Sequence, residues 1–397
     1  MTGAPGSAVI VGTGLIGTSV ALALRARGTE VWLSDADPAA ARLAADLGAG
    51  RLLPGGPVAG GPVAGGPVAG GAVPGGPADV AVLAVPPAAI ARCLAQAQRD
   101  GLARCCTDVA SVKELPLREA AELGCDLTTF VPGHPMAGRE RSGPAAARSD
   151  LFAGQPWVIC PGTLTSRAAV EAVTGLAVAC GARPIRLSAA EHDRWVALVS
   201  HLPHLVSSAM AALCADAPEG ALALAGPGLR DVTRIAAGDS GLWTGILAAN
   251  AGPVRAALQR MTGQLAQAVD ALAGLDAGHG AAGLGAPGKD APGRDAAVKQ
   301  LTALLDAGRE GVERIPGKRG GPAPHYAVVQ VVIGDRPGEL ARLFAAAGSA
   351  GINIEDVRIE HSPGLPAGVA ELSVRPEVAR RLSAALADGG WPVASPA

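Results

Sequence analysis

Short runs of β-branched residues alternate with Ala- and Leu-rich stretches over the first part of the chain. Residues 8–11 and 30–34 form two such runs, and residues 15–27 and 38–47 have the composition and periodicity of helices. A further helix is predicted at 88–98, and further strands at 79–85, 105–109 and 156–160. Strands that alternate with helices are typical of a parallel, doubly wound sheet. We therefore predict an α/β domain of this type over residues 1–187.

Two segments rich in glycine, proline and alanine interrupt the regular patterns. A GGPVA repeat over residues 55–77 excludes a regular helix or a central strand, so we interpret it as a low-complexity surface loop. After the first domain the sequence becomes long and helical, with breaks at 226–228 and 238–241. We predict an all-helical domain over residues 188–315, with a flexible insertion at 276–294.

The last part of the chain has the pattern of a small, separate α+β domain. It follows a linker at 316–325 that is rich in glycine, proline and basic residues. Strands are predicted at 326–333, 354–360 and 369–374, and helices at 339–350 and 377–387. We therefore predict a small ferredoxin-like module over 326–397.

Composition and charge exclude several classes of partner. The 397 residues include 33 basic and 35 acidic ones, and a net charge of -2 gives no reason to expect nucleic acid or an anionic membrane surface. No apolar run approaches the roughly 18 residues that a membrane span requires. Seven cysteines without a CxxC motif indicate neither a disulfide framework nor a redox site. We therefore expect a cytoplasmic protein with reduced thiols and a small-molecule partner.

A glycine-rich motif lies between the first predicted strand and the first predicted helix. Its six residues are Gly12, Thr13, Gly14, Leu15, Ile16 and Gly17. The glycines permit a tight turn and let a pyrophosphate approach the helix N-terminus. Asp35 closes the second predicted strand about 20 residues further on, where a carboxylate accepts both ribose hydroxyls. The sequence therefore predicts a Rossmann-type dinucleotide site.

The residues near Asp35 favour NAD over NADP. Asp35 and Asp37 would repel a 2'-phosphate, and no arginine immediately follows them. The alternative is that Asp35 is a helix N-cap or a turn residue. Its spacing from the glycines favours the cofactor role.

His134 is the first candidate for chemistry. It lies in the segment VPGHPMAG, whose prolines and glycines hold the chain extended and outside a helix. A loop histidine at the end of a sheet strand is where this fold places chemistry. The alternative is an ordinary polar loop residue.

Asp193, Ser200 and His204 form a second candidate group, in the first helix of the helical domain. At about 100° per residue they share one face, and this face is polar where a packed helix should be apolar. Pro203 would distort the helix between His201 and His204. A zinc site on these two histidines is an alternative, but no third ligand follows at the required spacing, so we expect no metal.

Arg230, Asp231 and Arg234 lie beside a glycine-rich break. An arginine fork suits a carboxylate, and the alternative is a solvated helix end with an ordinary surface ion pair. Spacing alone leaves both interpretations open.

An ordered set of motifs along nearly the whole chain resembles the prephenate dehydrogenases. The motifs are DVASVK (108–113), HPMAGRERS (134–142), EHD (191–193), SHLPH (200–204), RDVTRI (230–235), GDSGLW (238–243) and RIPGK (314–318). The resemblance implies NAD-dependent oxidative decarboxylation of prephenate to 4-hydroxyphenylpyruvate in tyrosine biosynthesis. It also implies a homodimer, formed by the helical domain, in which both chains complete each active site.

The same resemblance implies roles for individual residues. His134 would accept the proton of the 4-hydroxyl group, which requires a neutral imidazole, and Ser111 would position that hydroxyl. Arg234 would bind a substrate carboxylate, with His204 as a second anchor. The other matching positions are Glu140 and Asp231, which would pair with that arginine at the pocket mouth, Asp193, which would support the active-site helix, and Trp243, which would form a pocket wall.

The C-terminal module resembles an ACT domain through its DRPGEL turn and the following GINIEDV stretch. Such modules bind amino acids at paired interfaces, so the resemblance implies feedback control by tyrosine or another aromatic amino acid. The alternative is a module that serves assembly alone.

Three other functions compete with this interpretation. Arogenate dehydrogenase performs the same chemistry on the transaminated side chain, and the motifs do not decide the side-chain contacts. The β-hydroxyacid dehydrogenases fit less well because they rely on a lysine in a different motif. A non-catalytic regulator that responds to NAD and amino acids would not require the intact set of His134, Ser111, His204 and Arg234.

Overall fold

The computed structural model describes residues 3–55, 72–138, 142–280, 292–316, 326–361 and 366–394. The chain divides into two compact units, Met1–Met261 and Thr262–Ala397. The first contains the predicted α/β domain and most of the predicted helical domain, and the second contains the last helices and the C-terminal module. Residues 56–71 of the predicted surface loop and residues 317–325 of the predicted linker lie outside the described part of the chain.

A six-stranded parallel sheet forms the centre of the first unit. Its strands are β1 (Ser7–Val11), β2 (Glu30–Ser34), β3 (Arg51–Leu52), β4 (Ala78–Leu83), β5 (Ala103–Asp108) and β6 (Phe130–Val131). Its helices are α1 (Leu15–Arg25), α2 (Pro38–Asp46), α3 (Ile90–Arg99) and α4 (Glu114–Glu122). The spatial order is β3-β2-β1-β4-β5-β6, and every neighbouring pair is parallel. This is the doubly wound order of a dinucleotide-binding domain, as the sequence predicts.

The alternation of side chains in β1 explains why a continuous apolar run forms a central strand. Ala8 and Ile10 pack into the hydrophobic cluster that contains residues of α1, and Val9 and Val11 pack into the cluster that contains residues of α3. All four side chains are buried, as expected for a strand covered by helices on both faces. The glycine-rich turn follows Val11, so it lies at the carboxyl edge of the sheet.

A second sheet of three strands carries His134. Its strands are β7 (Gly133–Pro135), β8 (Pro156–Ile159) and β9 (Arg183–Arg186), and α5 (Arg167–Ala179) connects β8 to β9. β7 runs antiparallel to β8, with His134 opposite Val158, and β8 runs parallel to β9. The prediction of a loop histidine is therefore wrong in one respect. The segment is extended as predicted, but its backbone is paired with β8. This pairing fixes the position of the His134 Cα, from which the imidazole extends.

Helices make up the rest of the first unit, as predicted. They are α6 (Ala189–Val196), α7 (Leu202–Ala212), α8 (Glu219–Leu222), α9 (Pro227–Thr233), α10 (Ser240–Ala249) and the beginning of α11 (Ala251–Gly280). A capping box between Ser188 and Glu191 starts α6, and the Asp239 carboxylate caps α10. The predicted breaks at 226–228 and 238–241 coincide with the starts of α9 and α10.

A π-helical turn, Ala197–His201, separates α6 from α7. Pro203 has no backbone N–H to donate, and its ring clashes with the carbonyl four residues earlier in an α-helix, so the predicted distortion is confirmed. The turn breaks the constant 100° step on which the shared face of Asp193, Ser200 and His204 rests. Asp193, His201 and His204 are buried, whereas Ser200 is partly exposed. The predicted shared face is therefore wrong about Ser200, and His201 is the residue that is buried with Asp193 and His204.

The stretch Ala189–Ala212 is long and apolar enough to cross a membrane by length and composition, with a mean hydropathy of 1.2. This finding departs from the expectation that no such run exists. However, the stretch buries the polar side chains of His192, Asp193, His201 and His204 against the protein. These groups need polar partners that the lipid interior does not supply.

The second unit begins with helical structure. α11 continues to Gly280, and α12 spans Pro292–Glu313. Helices therefore cover both ends of the insertion predicted at 276–294, and residues 281–291 lie outside the described part of the chain.

The C-terminal module has its own hydrophobic core. Its elements are β10 (Ala327–Gly334), α13 (Glu339–Ser349), β11 (Asp356–His361), β12 (Ala367–Val374) and α14 (Pro376–Asp388). The sheet is antiparallel in the order β10-β12-β11, and Val393 bridges to Val331 at the free edge of β10. This bridge completes the β-α-β-β-α-β connectivity of a ferredoxin-like fold. The predicted small α+β module is confirmed.

Candidate active site

The glycine-rich turn joins β1 to α1. Gly12 has a φ of +98°, and a Cβ there would collide with the carbonyl oxygen of Ala84. A Cβ at Gly17 would collide with the carbonyl oxygen of Gly12, so the fold itself requires both glycines. A Cβ at Gly14 would meet no atom within 4 Å. The space beside Gly14 is thus open at the N-terminus of α1, where backbone N–H groups favour a phosphate.

Replacing Gly14 by alanine is expected to weaken dinucleotide binding without changing stability. The methyl group would enter the open space through which a pyrophosphate approaches α1. We expect the KM for NAD to rise about tenfold, equivalent to about 1.4 kcal/mol, with an unchanged Tm. Gly17→Ala is the matched variant and should lower the Tm, because its Cβ would collide with the backbone. A wild-type KM in the Gly14 variant would contradict this placement of the pyrophosphate.

Asp35 follows β2 directly and closes the turn. Its Oδ2 accepts hydrogen bonds from the Thr13 N–H at 2.5 Å and the Thr13 hydroxyl at 2.8 Å, and its Oδ1 accepts one from the Asp37 N–H at 2.9 Å. Asp37, rather than Asp35, caps α2 with its side chain. The alternative interpretation of Asp35 as a helix N-cap is therefore wrong, whereas its bond to the N–H two residues further on makes it a turn residue as well. Leu15 and Ile16, the first residues of α1, are partly buried.

A buried ion pair lies at the end of β5. Lys113 Nζ contacts Asp108 Oδ1 and donates to the Gly133 carbonyl at 2.7 Å, and both charged side chains are fully buried. Asp108 Oδ1 also accepts from the Ala110 N–H at 2.8 Å, whereas Oδ2 has no hydrogen-bond partner within the described residues. Burial raises the pKa of the Asp108 carboxyl, and the Lys113 ammonium opposes this rise. The pair ties the end of β5 to β7.

Asp193 connects three helices. Its Oδ1 accepts from the Lys113 N–H at 2.8 Å, and its Oδ2 accepts from the Glu114 N–H at 2.9 Å, which caps the start of α4. The same Oδ1 lies 2.7 Å from His192 Nδ1. The Asp193 backbone carbonyl accepts from the side-chain amide of Asn250, at the end of α10, at 2.8 Å. These contacts are consistent with the supporting role expected of Asp193.

The imidazole of His134 lies against that of His192. His134 Nδ1 and His192 Nε2 are 2.8 Å apart, and the rings meet at 72°. Desolvation lowers the pKa of His134 well below its ordinary value, and His192, Lys113 and His201 lower it further, although part of the residue remains accessible. His134 Nε2 hydrogen-bonds to no residue that the structure describes. An unprotonated ring nitrogen is therefore available as a proton acceptor.

His204 and Trp243 form the second part of the site. Their rings are stacked, with centroids 3.6 Å apart and an angle of 10° between the planes. Gly238 fits against both, since a Cβ there would lie 2.7 Å from Trp243 Nε1 and 3.0 Å from His204 Cε1. Burial lowers the pKa of His204. Near neutral pH the stack therefore consists of an uncharged imidazole against an indole ring.

His201 and Asn250 link the two parts. The His201 ring meets the Trp243 ring edge-on at a centroid distance of 6.2 Å, and its Nδ1 lies 3.1 Å from the Asn250 side-chain nitrogen. Because Asn250 also bonds to Asp193, contacts run without a break from the His134 side to the His204 side.

The other predicted residues that the structure describes lie in the loop after β5 and in or beside α9. Ser111 lies partly buried in the loop after β5. Asp231 is exposed in α9, and Arg234 is exposed at the start of a short 3-10 turn, Arg234–Ala237, that packs against α7. Glu140 lies outside the residues that the structure describes. The structure therefore brings His134, Asp193, His204 and Trp243 into one network.

Two family models match consecutive parts of the chain. The prephenate dehydrogenase nucleotide-binding domain matches residues 20–186, and the prephenate dehydrogenase dimerization domain matches residues 188–279. A curated relative, "Probable prephenate dehydrogenase NovF" of Streptomyces niveus, is 38% identical over 391 residues, which make up 98% of this chain and 99% of that protein. The chain belongs to the prephenate dehydrogenase family.

Solved structures share the fold of this family member. Prephenate dehydrogenase from Aquifex aeolicus, in complex with hydroxyphenyl propionate and NAD+, is 23% identical with a TM-score of 0.61, over 77% of this chain and 97% of that one. Synechocystis arogenate dehydrogenase is 24% identical with a TM-score of 0.54, over 76% of this chain and 99% of that one. Since both substrates occur on this fold, the fold does not choose between prephenate and arogenate.

Family membership confirms the predicted family, its nucleotide-binding and helical domains, and the expectation of an NAD-binding protein. The matched family domains end at residue 279, so the ACT identity of the C-terminal module stays a prediction.

Several residues that contribute to the site of this prephenate dehydrogenase family member were not assigned roles from the sequence. They are Asp108, Lys113, His192, His201 and Asn250. Four of them lie inside the motifs that carry the family resemblance, and these motifs were the available signal. Asn250 lies in an Ala-rich helical stretch, where nothing in the spacing points to a contact with Asp193.

Buried histidines should make this protein less stable in acid. Desolvation lowers the pKa of His201 from 6.5 to about 4, and the pKa of His134 falls well below 6.5 as well. The unfolded chain therefore binds protons more readily, and stability that is complete above pH 6.5 is lost as the pH falls toward about 4. We expect the Tm to fall over this window and to fall less in a His201→Asn variant. Parallel Tm curves for the two proteins would contradict the shift at His201.

Proposed function

We propose that the protein is an NAD-dependent prephenate dehydrogenase that converts prephenate to 4-hydroxyphenylpyruvate in tyrosine biosynthesis. The observation that carries this proposal is the His134 imidazole, whose pKa is lowered by desolvation and whose Nε2 bonds to no described residue. A neutral imidazole is suited to accept a hydroxyl proton near neutral pH.

The reaction needs one proton acceptor at the 4-hydroxyl of the substrate. NAD, when bound, would accept the hydride from C4 of the ring. His134 Nε2 would take the hydroxyl proton, with the Ser111 hydroxyl positioning the same oxygen. The ring carboxylate leaves as carbon dioxide, and the proton on His134 returns to the resulting phenolate oxygen. The base is thereby restored, and the atoms and charges balance with NADH as the reduced product.

The substrate carboxylates require positive charge and hydrogen-bond donors. Arg234 would supply the charge, with Asp231 and Glu140 pairing with it at the pocket mouth. Because burial lowers the pKa of His204, we propose that it anchors a carboxylate as a neutral donor. Trp243, stacked on His204, would hold that imidazole and form the pocket wall.

The nucleotide turn fits NAD. Gly14 leaves space at the start of α1 for a pyrophosphate, and the Asp35 carboxylate is anchored at the end of β2, where ribose hydroxyls bind in this fold. The same carboxylate would repel the 2'-phosphate of NADP. We therefore propose NAD as the physiological cofactor, bound by Gly12, Gly14, Leu15, Ile16, Gly17 and Asp35.

The assembly and the cellular location are proposed on the same basis. The side chains of Trp195, Leu198 and Val199 on α6 and the adjoining π-turn are more than half exposed, and a second copy would cover them. We propose a homodimer through this helical domain. The cysteines are all unpaired, which is consistent with the reducing cytoplasm.

The C-terminal module would act as an ACT domain that binds an aromatic amino acid. Its support is the ferredoxin-like arrangement and the DRPGEL turn between β10 and α13. Adding tyrosine to the full chain should lower activity in a dose-dependent way, and a chain cut at the linker should not respond. An equal response of both chains would contradict control through this module.

The central experiment measures NADH formation by the purified full-length protein with NAD, offering prephenate and arogenate separately. A higher kcat/KM with prephenate is the expected result. NADH from arogenate alone would reassign the substrate. No NADH formation with either substrate, in a protein that still binds NAD, would favour the non-catalytic regulator.

A further inference from the structure

His134 and His192 make a contact that determines which nitrogen of His134 carries a proton. We propose that His192, held by Asp193, fixes the tautomer of His134 so that Nε2 is the proton-accepting nitrogen. The inference rests on the proposed role of His134 as the base and makes His192 a positioning residue for it.

Two backbone hydrogen bonds hold the Asp193 carboxylate in place. Oδ1 accepts from the Lys113 N–H and Oδ2 from the Glu114 N–H, at 2.8 and 2.9 Å. Asp193 is 1% exposed, so water does not compete for these positions. Because both oxygens already accept backbone hydrogens, the carboxylate acts as an acceptor toward its remaining neighbour.

That neighbour is His192 Nδ1, at 2.7 Å from Oδ1. Facing an acceptor, Nδ1 must carry the hydrogen. A neutral His192 has one N–H, so its Nε2 is an acceptor, whereas a doubly protonated His192 would donate to His134 Nδ1 and leave the hydrogen of His134 on Nε2. His192 is completely buried, which leaves the ring no alternative partner in solvent.

His134 meets the same kind of constraint from His192. Its Nδ1 lies 2.8 Å from the acceptor nitrogen of His192, so Nδ1 of His134 must donate. Its Nε2 then holds a lone pair, and this is the nitrogen that bonds to no described residue. The opposite tautomer would direct two lone pairs at each other in a buried contact, and Nε2 would be a donor unable to accept the substrate proton.

The alternative is that His192, a residue of α6, serves only to fill the space between its helix and β7. The two interpretations predict that different residues can replace His192 without loss of activity. Glutamine places Oε1 as far along the side chain as Nε2 and can accept from His134 Nδ1. Leucine fills a similar volume but accepts nothing.

The first measurement is the nitrogen NMR spectrum of the full-length protein labelled with 15N-histidine, with the His134 signals assigned by their loss in His134→Asn. We expect a protonated Nδ1 and an unprotonated Nε2 at His134 in the wild type, and a mixture of tautomers in His192→Leu. A proton on Nε2 of the wild type would overturn the proposal.

The second measurement is kinetic. We expect His192→Leu to lower kcat about 10²-fold, within the range of up to about 10⁴ that a wrongly set tautomer costs a catalytic histidine. His192→Gln should retain kcat within about tenfold of the wild type, and the KM for prephenate should change little in either variant. Equal losses of kcat in the two variants at equal Tm would overturn the proposal.

The results that would refute the proposed function differ from those that would refute the tautomer proposal. A wild type that makes no NADH from prephenate or arogenate, but has the expected His134 tautomer that His192→Leu disturbs, would refute the activity and leave the tautomer assignment standing.

Discussion

Replacing His134 by asparagine is expected to lower kcat with prephenate by about 10²–10⁴-fold, the contribution of a positioned general base. Asparagine places its amide nitrogen near the position of Nδ1, so it can still donate to His192 Nε2. It has no atom at the position of Nε2. The local contact should therefore survive while the proton acceptor is lost, and the Tm should stay close to that of the wild type.

The measurement is steady-state NADH formation, with kcat and KM determined separately for prephenate and NAD. His204→Asn is the matched control, because it also removes an imidazole but at the proposed carboxylate anchor. It should act mainly through the KM for prephenate, since it weakens binding in ground and transition states alike. A His134→Asn variant with kcat within threefold of the wild type would refute His134 as the base.

Replacing Lys113 by methionine is expected to destabilise the protein by about 3–5 kcal/mol, the usual cost of breaking a buried ion pair by removing one partner. Lys113 and Asp108 are both fully buried, and the Gly133 carbonyl would lose its donor as well. The free energy of unfolding would be measured by urea denaturation. Lys299→Met, at an exposed position, controls for the loss of a lysine charge and should change little.

A double variant separates the charge from the packing. Lys113→Met combined with Asp108→Leu removes both members of the pair, so no uncompensated charge remains in the core. We expect it to recover a large part of the lost stability, because apolar replacements of a buried pair are often neutral. A double variant that is even less stable than Lys113→Met would contradict this expectation. It would mean that the hydrogen bonds of Asp108 contribute more to the free energy of unfolding than the unpaired charge costs.

The prediction of the fold from sequence succeeded wherever local pattern and tertiary packing agree. The apolar run of β1 and the glycine motif at Gly12 and Gly17 are short patterns, and sheet burial and close backbone approach in the fold require the same residues. The prediction of one helical face shared by Asp193, Ser200 and His204 was wrong, because a π-turn next to Pro203 changes the rotation per residue. A periodicity argument assumes a regular helix, and a single irregular turn changes the angular position of every residue beyond it.

The sequence by itself indicated the family, the nucleotide turn and the proposed base, because short motifs carry the turn and the base, and an ordered set of such motifs carries the family. The tertiary structure alone decided the surroundings of the His134 imidazole. His134 lies in β7, His192 in α6 and Lys113 at the start of α4, and the three come together only when these elements pack. The pKa of His134 and the hydrogen bond that orients its ring depend on burial and on distances of a few ångströms. These quantities arise from long-range packing, which no local pattern encodes.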